Sequence, residues 1–179
     1  QRVSESSVIA ISIQSMNYGD IPITTVENPE GNIGFFSPRT NVFNVGYART
    51  FSSSISGGIN FKVISENISN LKATGIAIDA GIRYVAGEQE QVKFGITLKN
   101  IGPVMKYKGD GLAQQAAYVT TGFIASLEER SSAFEMPSLL SIGGSYDFIL
   151  NESNKLNLGL GFTANSFSND QYRICLLYT

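Results

Sequence analysis

Two neighbouring segments alternate apolar and polar residues with a strict period of two. Between residues 74 and 84, Ile76, Ile78, Ala80, Ile82 and Tyr84 occupy every second position, with Asp79, Gly81 and Arg83 interleaved. Between residues 92 and 100, Val92, Phe94, Ile96 and Leu98 share one face, and Lys93, Gly95, Thr97 and Lys99 share the other. Successive strand side chains point to opposite sides, so this pattern specifies strands with two chemically different faces. At helical period the same residues would scatter charge around the whole cylinder. Further alternating runs cover residues 55–64, 155–163 and 172–179, and less regular strands are expected at 8–18, 21–27, 41–51, 117–126 and 138–149.

Turn-like segments separate these runs: Ser52-Ser53-Ser54, Ala86-Gly87-Glu88-Gln89, Asn151-Glu152-Ser153-Asn154 and Ser168-Asn169-Asp170. They are too short for parallel crossovers, so an antiparallel meander is expected. Two longer connections, residues 102–115 and 128–137, interrupt it. In a bacterial barrel short periplasmic turns alternate with longer external loops. Here that alternation reads as partial, because residues 151–154 are short where a long loop is due.

Alternation alone also fits a soluble β-sandwich, and composition separates the two. Charged residues make up 16% of the chain, against roughly 25% in soluble domains. Mean hydropathy is only +0.02, and no run approaches the roughly 18 apolar residues of a spanning helix. Barrels fall between these classes, because only every second strand residue meets lipid. Several runs are about 9–11 residues long, enough to cross a hydrocarbon layer at a tilt. Their polar face is rich in Gly, Ser, Thr and Asn, and the aromatics Phe51, Tyr84 and Tyr178 fall near strand ends. The expected fold is therefore all-β: an antiparallel transmembrane β-barrel of the outer-membrane type. A single segment spanning residues 1–179 with about ten strands is expected, as a partial barrel. The opening residues, Gln1-Arg2-Val3-Ser4-Glu5, lack the apolar core of a signal peptide, so the signal is removed or the chain begins inside a longer protein.

Other function classes recede. Net charge is −2 with no basic cluster, which argues against nucleic acid. Histidine is absent, removing the commonest general base and metal ligand. The serines have no activating partner, no metal or cofactor set emerges, and no enzyme is expected. The one cysteine, Cys175, permits no intrachain disulfide and reads as a small apolar side chain.

An ordered set of stretches resembles the PorV/PorQ family of outer-membrane proteins from Bacteroidetes, relatives of the long-chain fatty-acid transporter barrels. They are Ser12-Ile13-Gln14-Ser15-Met16-Asn17-Tyr18-Gly19, Thr25-Val26-Glu27-Asn28-Pro29-Glu30-Gly31 and Phe61-Lys62-Val63-Ile64-Ser65-Glu66. Ala73-Thr74-Gly75, Asp79-Ala80-Gly81, the run from Phe94 to Gly102, and Lys108-Gly109-Asp110-Gly111-Leu112 follow. Phe134-Glu135-Met136-Pro137 and the run from Asn165 to Arg173 complete it, so the resemblance spans nearly the whole chain. It implies a bacterial outer-membrane location, a lipid bilayer around the strands, and a part in the type IX secretion system. There a barrel of this family would dock the translocon or cargo bearing a C-terminal signal domain. The family's N-terminal Gly-rich region and its closing strands are not matched, so a fragment is expected.

Asp79 and Arg83 are four residues apart on one strand face, and Lys62, Lys93 and Lys99 are candidates for the same interior. They read either as a ligand- or cargo-binding set or as a charge network that keeps the interior satisfied. Arg49 shares parity with Phe43, Val45 and Tyr47 and is expected to snorkel at an interface. In the longest connection Lys106, Lys108 and Asp110 are the partner-loop candidates, against the plainer reading of a turn. Two other functions stay open here: an outer-membrane transporter of hydrophobic small molecules, and a soluble β-sandwich binding module.

Overall fold

Residues that alternate in sequence become two-faced strands, and two-faced strands pair so that like faces align. The computed structural model describes residues 2–117, 124–151 and 154–179. In chain order its strands begin with β1 (Arg2–Ser4), β2 (Ser7–Asn17), β3 (Ile21–Pro22), β4 (Phe35–Phe36) and β5 (Arg39–Thr50). Next come β6 (Ile55–Ile68), β7 (Leu71–Ala86), β8 (Val92–Ile101), β9 (Tyr107–Lys108), β10 (Ala113–Ala117) and β11 (Ile124–Glu128). The last three are β12 (Leu139–Asn151), β13 (Asn154–Asn165) and β14 (Gln171–Tyr178), and a 3₁₀ turn covers Asp110–Leu112. Ten strands join in one antiparallel sheet, in the order β1-β2-β5-β6-β7-β8-β12-β13-β14, with β9 beside β7. The sheet is open. Among the described residues β14 pairs only with β13, and β2 only with β1 and β5.

Register carries the apolar alternation unbroken from strand to strand. Ile11, Val45, Phe61 and Ile78 stand side by side across β2, β5, β6 and β7. Ile82, Ile96, Ile142, Phe162 and Tyr172 continue the same face across β7, β8, β12, β13 and β14. On the reverse side Val8, Ala48, Gly58, Gly81, Thr97, Ser141 and Thr163 form one row. A slip of one residue in any pair would exchange the faces, so the alternation itself fixes the register. Nothing among the described residues packs on the apolar face. Ile82 is 61% exposed and Ile174 80%, and the buried apolar side chains are Ala73, Ala77 and Met105. A sandwich would need a second layer on this face.

Three sequence expectations are corrected. The strand expected at 21–27 shrinks to Ile21–Pro22 paired with Phe35–Phe36. Pro22 has no N–H to extend the ladder, and Thr25 and Asn28 exchange backbone hydrogen bonds in a local turn. The strand expected at 117–126 is instead a separate hairpin, β10 against β11, whose connection lies outside the described residues. That hairpin belongs to the long connection between β8 and β12, which changes the end of the sheet at which the later turns fall. Residues 51–54, 87–91 and 152–153 link strands at one end of the sheet; the last two residues lie outside those described. Residues 18–38, 69–70, 102–138 and 166–170 link strands at the other. Both long connections therefore share one end, and the short segment at 151–154 belongs with the short turns.

Candidate functional site

The reverse face of the sheet carries a polar network built by register. Lys62 Nζ lies 2.7 Å from Asp79 Oδ2 and donates to Asn100 Oδ1 at 2.8 Å. Asn60 Nδ2 donates to Asp79 Oδ2 at 3.3 Å and to Asn44 Oδ1 at 3.4 Å. Asn44 Nδ2 donates in turn to Ser12 Oγ at 3.1 Å. A bulge completes the set. Ala80 pairs with Leu98 but Ile78 pairs with Ile101, so Lys99 and Asn100 together oppose Asp79. Asn100 adopts φ 59°, the left-handed region that asparagine tolerates. This turns its N–H onto Asp79 Oδ1 at 2.8 Å and its side-chain amide onto the Pro137 carbonyl at 2.8 Å.

A second cluster sits nearer the short-turn end. Lys93 Nζ lies 2.7 Å from Asp147 Oδ2, and Asn157 donates to the other carboxylate oxygen. Towards the long-loop end of β12 and β13, the Ser141 and Thr163 hydroxyls are hydrogen-bonded at 3.0 Å. The two ion pairs are the salt bridges among the described residues, and no buried side-chain polar atom of those residues is left without a partner.

The structure thus places Lys62, Asp79, Arg83, Lys93 and Lys99 on one face, but it does not bring Asp79 and Arg83 together. Asp79 takes Lys62 as its partner, while Arg83 is exposed opposite Ser56 and Gly95. Lys99 is exposed at the rim of a depression of about 290 Å³ that also touches Val8, Ala10, Gly46, Gly58 and Gly81. Sequence reasoning missed Asp147, Asn60, Asn100 and Asn157. Only Asp147 carried a usable signal, as a charge placed between Tyr146 and Phe148 in an apolar run.

The loop-bearing end has its own small core. Beyond Ile101 the chain runs on beside β7, where Tyr107 pairs with Ala73 and Lys108 with Lys72. Met105 forms a bridge with Phe134 and is 1% exposed. A Cβ on Gly75 would stand 2.6 Å from its side chain. Tyr107 stacks on Phe134 at 5.2 Å, and its hydroxyl donates to Glu66 Oε2 at 2.7 Å. Burial, then the Glu66 carboxylate, pushes the phenol up to about 12. Lys106 and Lys108 are exposed, as is Asp110 in the 3₁₀ turn. Gly109 makes this close return possible: its φ is +141°, and a Cβ there would stand 2.1 Å from the Asn70 carbonyl oxygen. Gly109→Ala is expected to cost about 1–3 kcal/mol, read as a lower urea midpoint with earlier protease cleavage of residues 102–138. An unchanged midpoint would mean the connection does not pack on β7.

Among the described residues no group of three or more metal-ligating side chains is present. No protein-family model matches the chain, and no curated protein matches it.

Proposed function

We propose that this chain is an outer-membrane β-barrel protein, or a stretch of one, with a non-enzymatic role in type IX secretion. Its long-loop end would dock translocon or cargo. The observation that carries the membrane part is the continuous apolar face, on which nothing among the described residues packs. On β7 that face runs from Ile76 to Tyr84 and on β6 from Ile55 to Val63. Each stretch is about nine residues, the length a tilted strand needs to cross hydrocarbon. Soluble monomers rarely expose contiguous apolar patches beyond a few hundred Å². With long connections at one end and short turns at the other, the long-loop end reads as extracellular. Lys106, Lys108 and Asp110 stand on that end. The secretion role rests on the family resemblance.

Fractionation of the native protein, with electrophoresis of boiled and unboiled samples, tests the membrane reading. Recovery in the outer membrane with a heat-dependent mobility shift supports it, whereas a soluble, unshifted protein sinks it. Reversing charge at Lys106, Lys108 and Asp110 is expected to reduce translocon or cargo capture while insertion persists. Unimpaired capture would remove these residues from the docking surface.

One observation favours a second reading, a transporter of hydrophobic small molecules. The depression on the polar face is lined mostly by apolar and small residues, at the lower end of the range of about 300–1,000 Å³ for ligand pockets. Uptake unaffected by deletion of the protein would count against it.

A further inference from the structure

The apolar face does not end abruptly at the long-loop end; it grades. Ile13, Phe43, Val63 and Ile76 form its last apolar row across β2, β5, β6 and β7. Two positions further along the strands, Ser15, Asn41, Ser65 and Thr74 form a row of hydroxyls and amides. Two positions beyond that, Asn17, Arg39, Asn67, Lys72 and Lys108 form a cationic row, carried onto β9 by the Lys72–Lys108 pair. Four strand residues span about 13 Å, or about 9 Å along the membrane normal at a 45° tilt. That distance places the cations in the headgroup layer, with aliphatic stems long enough to lie back over the rows beneath.

The Lys72–Lys108 pair is the telling feature. Like charges directly opposite in a sheet are destabilising unless something anionic lies between or beside them. Arg39, Lys72 and Lys108 are all exposed, and none takes part in either salt bridge among the described residues. Glu66, on the opposite face, is engaged by the Tyr107 hydroxyl. Asp110 and Glu135, on the neighbouring segments, are exposed and take part in neither salt bridge among the described residues.

We propose that Arg39, Lys72 and Lys108 form a lipid-phosphate binding strip, which holds the phosphates of anionic lipids in the leaflet at the long-loop end. The strip supplies two ammonium groups and a guanidinium able to fork onto one phosphate, with Asn67 as a neutral donor between them. This inference rests on the membrane reading above.

The test uses the purified full chain in phosphatidylcholine vesicles, with and without lipid A. Flotation with plain phosphatidylcholine establishes insertion, and lipid A retained through detergent re-purification reads the strip. The Arg39→Gln/Lys72→Gln/Lys108→Gln variant is expected to insert normally and to bind lipid A on the order of a hundredfold more weakly, about fivefold per cation removed. Lys72→Arg/Lys108→Arg and the distant Lys155→Gln should bind like wild type. Should the triple variant fail to insert, Lys108→Gln alone, with its fivefold loss, decides. Equal lipid A retention by wild type and the glutamine variants overturns the strip while leaving the membrane reading intact. Failure of wild type to float with phosphatidylcholine overturns both.

Discussion

On the proposed membrane reading, Ile78→Arg is expected to destabilise the inserted protein by about 2–4 kcal/mol, whereas Thr74→Arg should cost only about 0–1 kcal/mol. The two positions share one face of one strand, four residues apart, so propensity and register are matched and depth differs. Ile78 pairs with Phe61 inside the apolar band, and Thr74 pairs with Ser65 in the hydroxyl row. Urea titration of vesicle-inserted protein measures both. Equal costs would mean that the face changes from apolar to polar without a change of solvent, and the lipid band would be lost from the account.

Asp79→Ala should have the larger effect, about 3–5 kcal/mol, because it leaves the Lys62 ammonium uncompensated in a partly enclosed site. The side chains of Lys62 and Asp79 are 17% and 18% exposed, which favours the lower end of that range. The Asn100 N–H loses its acceptor at the same time, and the Asn60 amide loses one of its two. Lys62→Met with Asp79→Leu should recover most of the loss, since removing both charges removes the desolvation that the pair was offsetting. The same cycle on Lys93 and Asp147 should show weaker coupling, because Lys93 is 34% exposed. Strictly additive single substitutions at Lys62 and Asp79 would show that the contact holds nothing together.

The strand pattern was legible wherever a strand separates two environments. Residues 74–84 and 92–100 alternate cleanly because every side chain meets either the open apolar face or the polar one, and β7 and β8 lie close to those bounds. The parity that put Asp79, Arg83, Lys62, Lys93 and Lys99 on one side follows from the same rule. Partnership did not follow. Asp79 meets Lys62 through the hairpin register, and Lys93 meets Asp147 only because β8 and β12 become neighbours across the β10–β11 hairpin. Periodicity says which way a residue faces and nothing about which strand lies beside it. The bulge at Lys99–Asn100 escaped for a related reason: Asn100 ends an alternating run, and its left-handed φ leaves no mark in that pattern. Reading 117–126 as one strand shifted the count by one, which alone hid that both long connections share one end.

The connection of residues 102–138 also orders assembly in time. Every other neighbouring pair of long strands is joined by a turn or loop no longer than residues 18–38, whereas β8 and β12 must find each other across this one. Closing so long a loop costs roughly 2 kcal/mol more than closing a four-residue turn, and contacts of high sequence separation form late. The chain should therefore mature as two ribbons, β2 to β8 and β12 to β14, that zip along Val92–Lys99 and Leu139–Tyr146. Pulse-labelled hydrogen exchange would find that seam protected last. The Met105–Phe134 bridge and the Asn100–Pro137 hydrogen bond join the two sides of that seam, which makes the same connection both the slowest part of the sheet to close and the clasp that keeps it closed.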